Sequence, residues 1–119
     1  MTDSEKPGQI EITSHASFDA TLDRLIEAMA RSGMTLHVST MPPTTLLIYG
    51  SPAGGTPVML AAPLAALDLP LRVLVRENDQ GQVSILFHPM APVLRQAGVP
   101  ETLAHRLDQA QHMLVEAVS

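Results

Sequence analysis

The 119-residue chain has no cysteine and no tryptophan, and its aromatic content is 3%, carried by Phe18, Tyr49 and Phe87. Without cysteine there can be no disulfide, thiolate zinc site, iron–sulfur cluster or cysteine nucleophile. So few rings exclude base-stacking platforms, aromatic cages and tryptophan-lined sugar sites. Lysine occurs once, at Lys6, and seven Lys+Arg stand against twelve Asp+Glu for a net charge of −5. A nucleic-acid partner is therefore not expected, because phosphate contacts demand a basic footprint. The most apolar run, Val58 to Leu67, is broken by Pro63 and falls far short of the ~20 residues a membrane span needs. The N-terminal MTDSEKPG has no apolar h-region and does not read as a signal peptide. A cytoplasmic protein that engages no membrane is the expectation.

What is present is a chain that is 45% hydrophobic and long enough to bury about two-thirds of its surface in one domain. Residues 1–8 are polar and read as a disordered tail, leaving 9–119 as a single α+β domain. Alternation over Gln9–His15 predicts a strand. Ser17 then caps a helix carrying Phe18, Leu22, Leu25, Ile26 and Met29 at helical spacing and stopping at Gly33. Asp19 and Asp23 early, Arg31 late, and a Glu27–Arg31 pair suit its dipole and its exposed face. Strands follow over Thr35–Ser39 and Thr45–Tyr49, joined through Met41-Pro42-Pro43. Ser51 to Gly55 reads as a loop, with Thr56 capping a short helix that has Pro57 at its first position, and a second short turn over 63–67. Leu69–Glu77 and Gln82–His88 read as a hairpin across Asn78-Asp79-Gln80-Gly81. The chain turns helical after Pro89, pauses at Gly98, and ends in a helix from about Pro100 with an apolar stripe of Leu103, Leu107, Ala110 and Leu114. The predicted order is β-α-β-β-α-β-β-α, an α+β domain.

Three patterns bear on chemistry. The Gly50–Pro57 stretch feeds a helix start, whose free N–H groups could hold an anion, although the Lys-Ser/Thr pair of a nucleotide-hydrolase loop is missing. A plain turn that uses the permissive backbone of Gly54 and Gly55 explains the same residues. Strand parity is the second pattern. With Leu36, Val38, Leu71, Val73, Val75, Val83, Ile85 and Phe87 facing the core, His15, His37, Arg72, Leu74, Arg76, Ser84, Leu86 and His88 face away. Histidines and arginines on one face could make an anion or metal site, whereas Leu74 and Leu86 among them suit a self-complementary dimer contact. The third pattern is seven methionines, which read as core filling because no Met-x-x-Met cluster occurs. Neither a close histidine ligand pair nor a Gly-x-Ser-x-Gly elbow is present, so no metal, no cofactor and no known catalytic constellation is expected.

The run YGSPAGGTPVMLAAPLAALDLPLRVLVRENDQGQVSILFHP resembles the domain-of-unknown-function 302 family. The matching features are Gly50, Pro52, Gly55, Thr56, Pro57 and Met59, then Asp68-Leu69-Pro70-Leu71-Arg72 and the Gly81 turn, with Phe18-x-x-Thr21 and the helix ending at Gly33 upstream. The likeness spans about residues 10–98 and leaves the last helix outside it. It implies a single α+β domain with a curved, mainly antiparallel sheet of about five strands and helices on one face, laid out like the TATA-binding-protein-like fold, and often a homodimer. It does not imply DNA binding, which the charge argues against. Ser51, Ala53 and Phe87-His88 stand where the family commonly has asparagine, lysine and tyrosine-asparagine, while Arg72 keeps a charge often supplied by lysine.

The functional expectation is a homodimeric module that binds a small anionic ligand through Gly54, Gly55, Thr56, Arg72 and His88. Two alternatives stand beside it: an enzyme using His88 or His37 as acid or base, and a purely structural or interaction protein.

Overall fold

The computed structural model describes residues 8–41, 44–50 and 52–119, the side chains of 35, 37–41 and 52–54 excepted. The expected disordered tail and the Pro42-Pro43 connection lie almost wholly outside these residues. The elements are β1 (Ile10–Ser14), α1 (Phe18–Arg31), β2 (Thr35–Met41), β3 (Thr44–Gly50), α2 (Pro52–Ala61), a 3-10 helix (Pro63–Asp68), β4 (Leu71–Glu77), β5 (Val83–Phe87), α3 (Ala91–Gln96) and α4 (Glu101–Val118). Every strand pair is antiparallel and the sheet order is β1-β5-β4-β3-β2. The class is α+β, an antiparallel sheet with helices.

Local rules set the first helix and the hairpin. The Ser17 hydroxyl accepts from the Ala20 N–H at 3.1 Å, satisfying one of the free donors of α1. The helix ends before Gly33, whose φ of +69° any side chain would oppose. Glu27 and Arg31 pair at 3.7 Å on its exposed side. Between β4 and β5, the Asn78 side-chain oxygen accepts from the backbone N–H of Gln80 and of Gln82, and Gly81 takes a φ of +78°.

The core lies between the sheet and the helices. Leu47, Tyr49, Leu71, Val73, Val75, Val83, Ile85 and Phe87 meet Leu25, Met29, Val58, Leu94, Leu107 and Leu114 there. Beside it, the Ser14 and Thr21 hydroxyls share a buried hydrogen bond of 2.7 Å that ties β1 to α1.

The second helix departs from its expected start. It opens at Pro52, not at a Thr56 cap, so Gly54, Gly55 and Thr56 are helical and Pro57 lies inside the helix. Pro52 meets the same first-turn preference that singled out Pro57. Pro57 then costs one intrahelical bond, to the carbonyl of residue 53. Burial decides between the two starts: Val58, Ala62 and Ala65 are almost fully covered, which fixes the rotation of this segment. It also leaves Leu60, Leu64 and Leu67 outside, at 79%, 78% and 84% exposure.

The C-terminal region differs from its expected form in two ways. Its helical part is two helices, separated at Gly98, so the observed order gains one helix. The Arg95 guanidinium bonds both carboxylate oxygens of Glu101, at 2.6 and 2.7 Å, across that break. Those hydrogen bonds hold the Glu101 carboxyl below the ordinary carboxylate range. The buried stripe of α4 is Ala104, Leu107, Gln111, Leu114 and Val118, with the expected Leu103 and Ala110 only half-buried beside it.

Candidate functional site

Parity along the strands sorts their side chains as expected. Arg72, Leu74, Arg76, Ser84 and Leu86 lie on the face opposite the core, and neither Leu74 nor Leu86 belongs to the core cluster. Register aligns Leu46, Leu74, Leu86 and Glu11 in one row across β3, β4, β5 and β1. The Ser84 hydroxyl donates to the Glu11 carboxylate at 2.8 Å on the same face. His15 is exposed just beyond β1, and the side chain of His37 lies outside the described residues.

Where β4 begins and β5 ends, this face sinks into a depression of about 320 Å³. Leu46, Leu74 and Leu86 give it an apolar lining. Arg72 and His88 both line it, so the sheet brings together two of the five residues expected to form a site. Gly55 and Thr56 are not among its described lining residues. Inside α2 the N–H groups of Gly55 and Thr56 fall beyond the first turn, where the helix uses them itself.

Two residues that the sequence reading passed over, Asp68 and Gln9, also line the depression. Asp68 ends the 3-10 helix, and it opened the Asp-Leu-Pro-Leu-Arg run, which was the available signal. Neither Asp68 nor Arg72 forms an ion pair among the described residues.

His88 is held from two sides. Its Nδ1 lies 2.6 Å from the Gly8 carbonyl. A carbonyl can only accept, so Nδ1 carries the proton and Nε2 of the neutral ring is an acceptor. Its own carbonyl accepts from Gln111 Nε2 at 2.8 Å, while Gln111 Oε1 accepts from the Met90 N–H at 3.0 Å. Gln111 is 2% exposed, a polar residue in the apolar stripe of α4 that clamps the chain leaving β5. Its place four residues after Leu107 and three before Leu114 was the clue in the sequence. Among the described residues, no three His, Asp or Glu side chains gather closely enough to hold a metal ion.

Sheet, helices and depression define a small α+β fold with charged and polar residues lining a depression at one end of its sheet. The chain matches the family described as Domain of unknown function DUF302 over residues 36–119, and it belongs to that family. The matched span takes in α4, which the sequence resemblance had left out, and starts at β2. A crystal structure of an uncharacterized conserved DUF302 protein from Bacillus stearothermophilus shares the fold, with a TM-score of 0.80 and 13% identity, covering 96% of this chain and 100% of that one. Curated relatives include fluoride-specific ion channel FluC 1 of Brucella suis biovar 1 (strain 1330), 30% identical over 88 residues, which cover 64% of this chain and 35% of the channel. Fluoride-specific ion channel FluC 2 of Brucella melitensis biotype 1 matches at 30% over 88 residues, 64% of this chain and 33% of the channel. The chain thus spans about a third of the length of these relatives. Among its described residues no helix is long and apolar enough to cross a membrane.

Proposed function

We propose that residues 9–119 act as one cytoplasmic domain, a homodimeric module that binds a small ligand through its anionic group. The binding site is the depression beside Arg72 and His88. One observation carries this reading: an arginine of β4 with no ion pair among the described residues and a doubly held histidine just after β5 line the same apolar-walled depression. Such a combination of mostly apolar lining with a few convergent polar groups is the usual form of a small-molecule site. The names of the Brucella relatives add a small anion, fluoride, to the ligands worth testing.

Thermal unfolding with fluoride, acetate, phosphate and isocaproate tests it. A ligand at a hundredfold excess over its Kd should stabilise the fold by about 2.7 kcal/mol, a rise in Tm on the order of 10 °C for a chain of this length. Arg72 is exposed, so Arg72→Ala should fold normally and lose that rise. No stabilisation of the wild-type protein by any of these anions would overturn the reading.

The homodimer reading rests on a different surface from the one parity suggested. Leu86 is already 9% exposed within one copy, whereas Leu60, Leu64 and Leu67 are the most exposed large hydrophobic side chains among the described residues, at 79%, 78% and 84%. Light scattering should report twice the 12.7 kDa chain mass, and Leu64→Glu with Leu67→Glu should return the single mass. A single-mass species for the unaltered chain at micromolar concentration would contradict it.

A further inference from the structure

We infer that the ligand of this depression is a zwitterion with an aliphatic tail, of the chemical class of the apolar α-amino acids. The inference rests on the binding reading above and names the ligand's second charge. Asp68 and Arg72 stand four positions apart, at the end of the 3-10 helix and the start of β4, and both line the depression. No ion pair joins them, and neither pairs with any other charge among the described residues. Opposite charges that face one cavity without meeting each other are matched by a ligand that carries both. Its carboxylate pairs with the Arg72 guanidinium in a charge-assisted, fork-shaped contact, and its ammonium pairs with Asp68.

His88 points the same way. Its Nδ1–H is committed to the Gly8 carbonyl, so the neutral ring offers only an acceptor at Nε2. An acceptor suits an ammonium and repels a carboxylate. A plain anion would therefore leave both Asp68 and His88 unmatched, while a zwitterion matches Asp68, Arg72 and His88 together. Leu46, Leu74 and Leu86, part of the apolar lining, take an aliphatic tail. The volume of about 320 Å³ lies at the low end of the ~300–1,000 Å³ of ligand pockets, which favours a molecule of amino-acid size over a nucleotide.

Calorimetric titration at neutral pH with leucine, isocaproate and isoamylamine separates the possibilities, because the last two each lack one of leucine's charges. Leucine should bind tightest, with each analogue weaker by at least about tenfold. Asp68→Asn should bring leucine down to the level of isocaproate without weakening isocaproate itself, and Arg72→Ala should weaken both. The three-ligand comparison needs no variant and so survives any folding defect of Asp68→Asn. Isocaproate or isoamylamine binding as tightly as leucine would overturn the zwitterion inference, and the isocaproate result would leave the anion reading standing. Binding of none of the three would overturn this inference, with the anion reading then decided separately by the fluoride and phosphate arms of the thermal series.

Discussion

Replacing Gln111 by alanine should lower the unfolding free energy by about 2–5 kcal/mol, measured by urea denaturation. The side chain is 2% exposed and answers two backbone groups, the Met90 N–H and the His88 carbonyl. Alanine leaves both without a partner beside a void that no other side chain fills. Each unsatisfied buried group costs about 1–3 kcal/mol, and the deleted volume adds to that. The same substitution frees the segment that sets the position of His88, so ligand affinity should fall along with stability. Gln111→Leu refills the volume without restoring either hydrogen bond, and should recover only the packing part. A Gln111→Ala protein within about 0.5 kcal/mol of wild type would show that the clamp contributes nothing, since that is the ordinary range for surface changes.

Alkaline pH should unfold the domain through Tyr49. This tyrosine is 1% exposed, and its hydroxyl has no hydrogen-bond partner among the described residues. Burial pushes its pKa up, because the phenolate would have to form where water cannot reach it. Unfolded tyrosine releases its proton near pH 10. Above that value the native state holds a proton that the unfolded chain has lost, so stability falls as pH rises; below it both states are protonated and the effect vanishes. The chain has one tyrosine and no tryptophan, so near-ultraviolet absorbance reads this group alone. Tyrosinate should appear only together with loss of the helical circular dichroism signal. Tyr49→Phe should move the alkaline midpoint upward and should be no less stable at neutral pH, since it removes an unsatisfied hydroxyl. Tyrosinate forming near pH 10 in a still-helical protein would contradict the burial of this side chain.

These two residues also show where sequence reasoning reached and where it stopped. α1 was legible because its signals are local: Ser17 caps it, Gly33 ends it, and the apolar spacing between them admits one helix. The β4–β5 hairpin was legible for the same reason, through Asn78 and Gly81. Parity placed Arg72 and His88 away from the core, because a strand's period of two leaves only two faces to choose from. α2 was not legible. Pro52 and Thr56-Pro57 satisfy the same first-turn preferences, and the choice falls to burial of Val58 and Ala65, which is a tertiary matter. Once the helix starts at Pro52, Gly54 and Gly55 belong to α2 and not to a loop. Gln111 went unnoticed for a related reason: the stripe was read from its apolar members alone, although spacing from Leu107 and Leu114 places Gln111 on the buried side. Asp68 and Gln9 joined the depression only through the packing of the 3-10 helix and the N-terminal chain beside β4 and β5, which no spacing rule contains.

The central claim is that this domain recognises a small ligand at the Arg72–His88 depression and not at the start of α2. Two-dimensional amide NMR during a leucine titration tests it most directly. Saturable shifts at Arg72, Leu74, Leu86 and His88, with Gly55 and Thr56 unmoved, are the predicted result. Shifts confined to Gly54–Thr56, or spread without saturation over the surface, would contradict it.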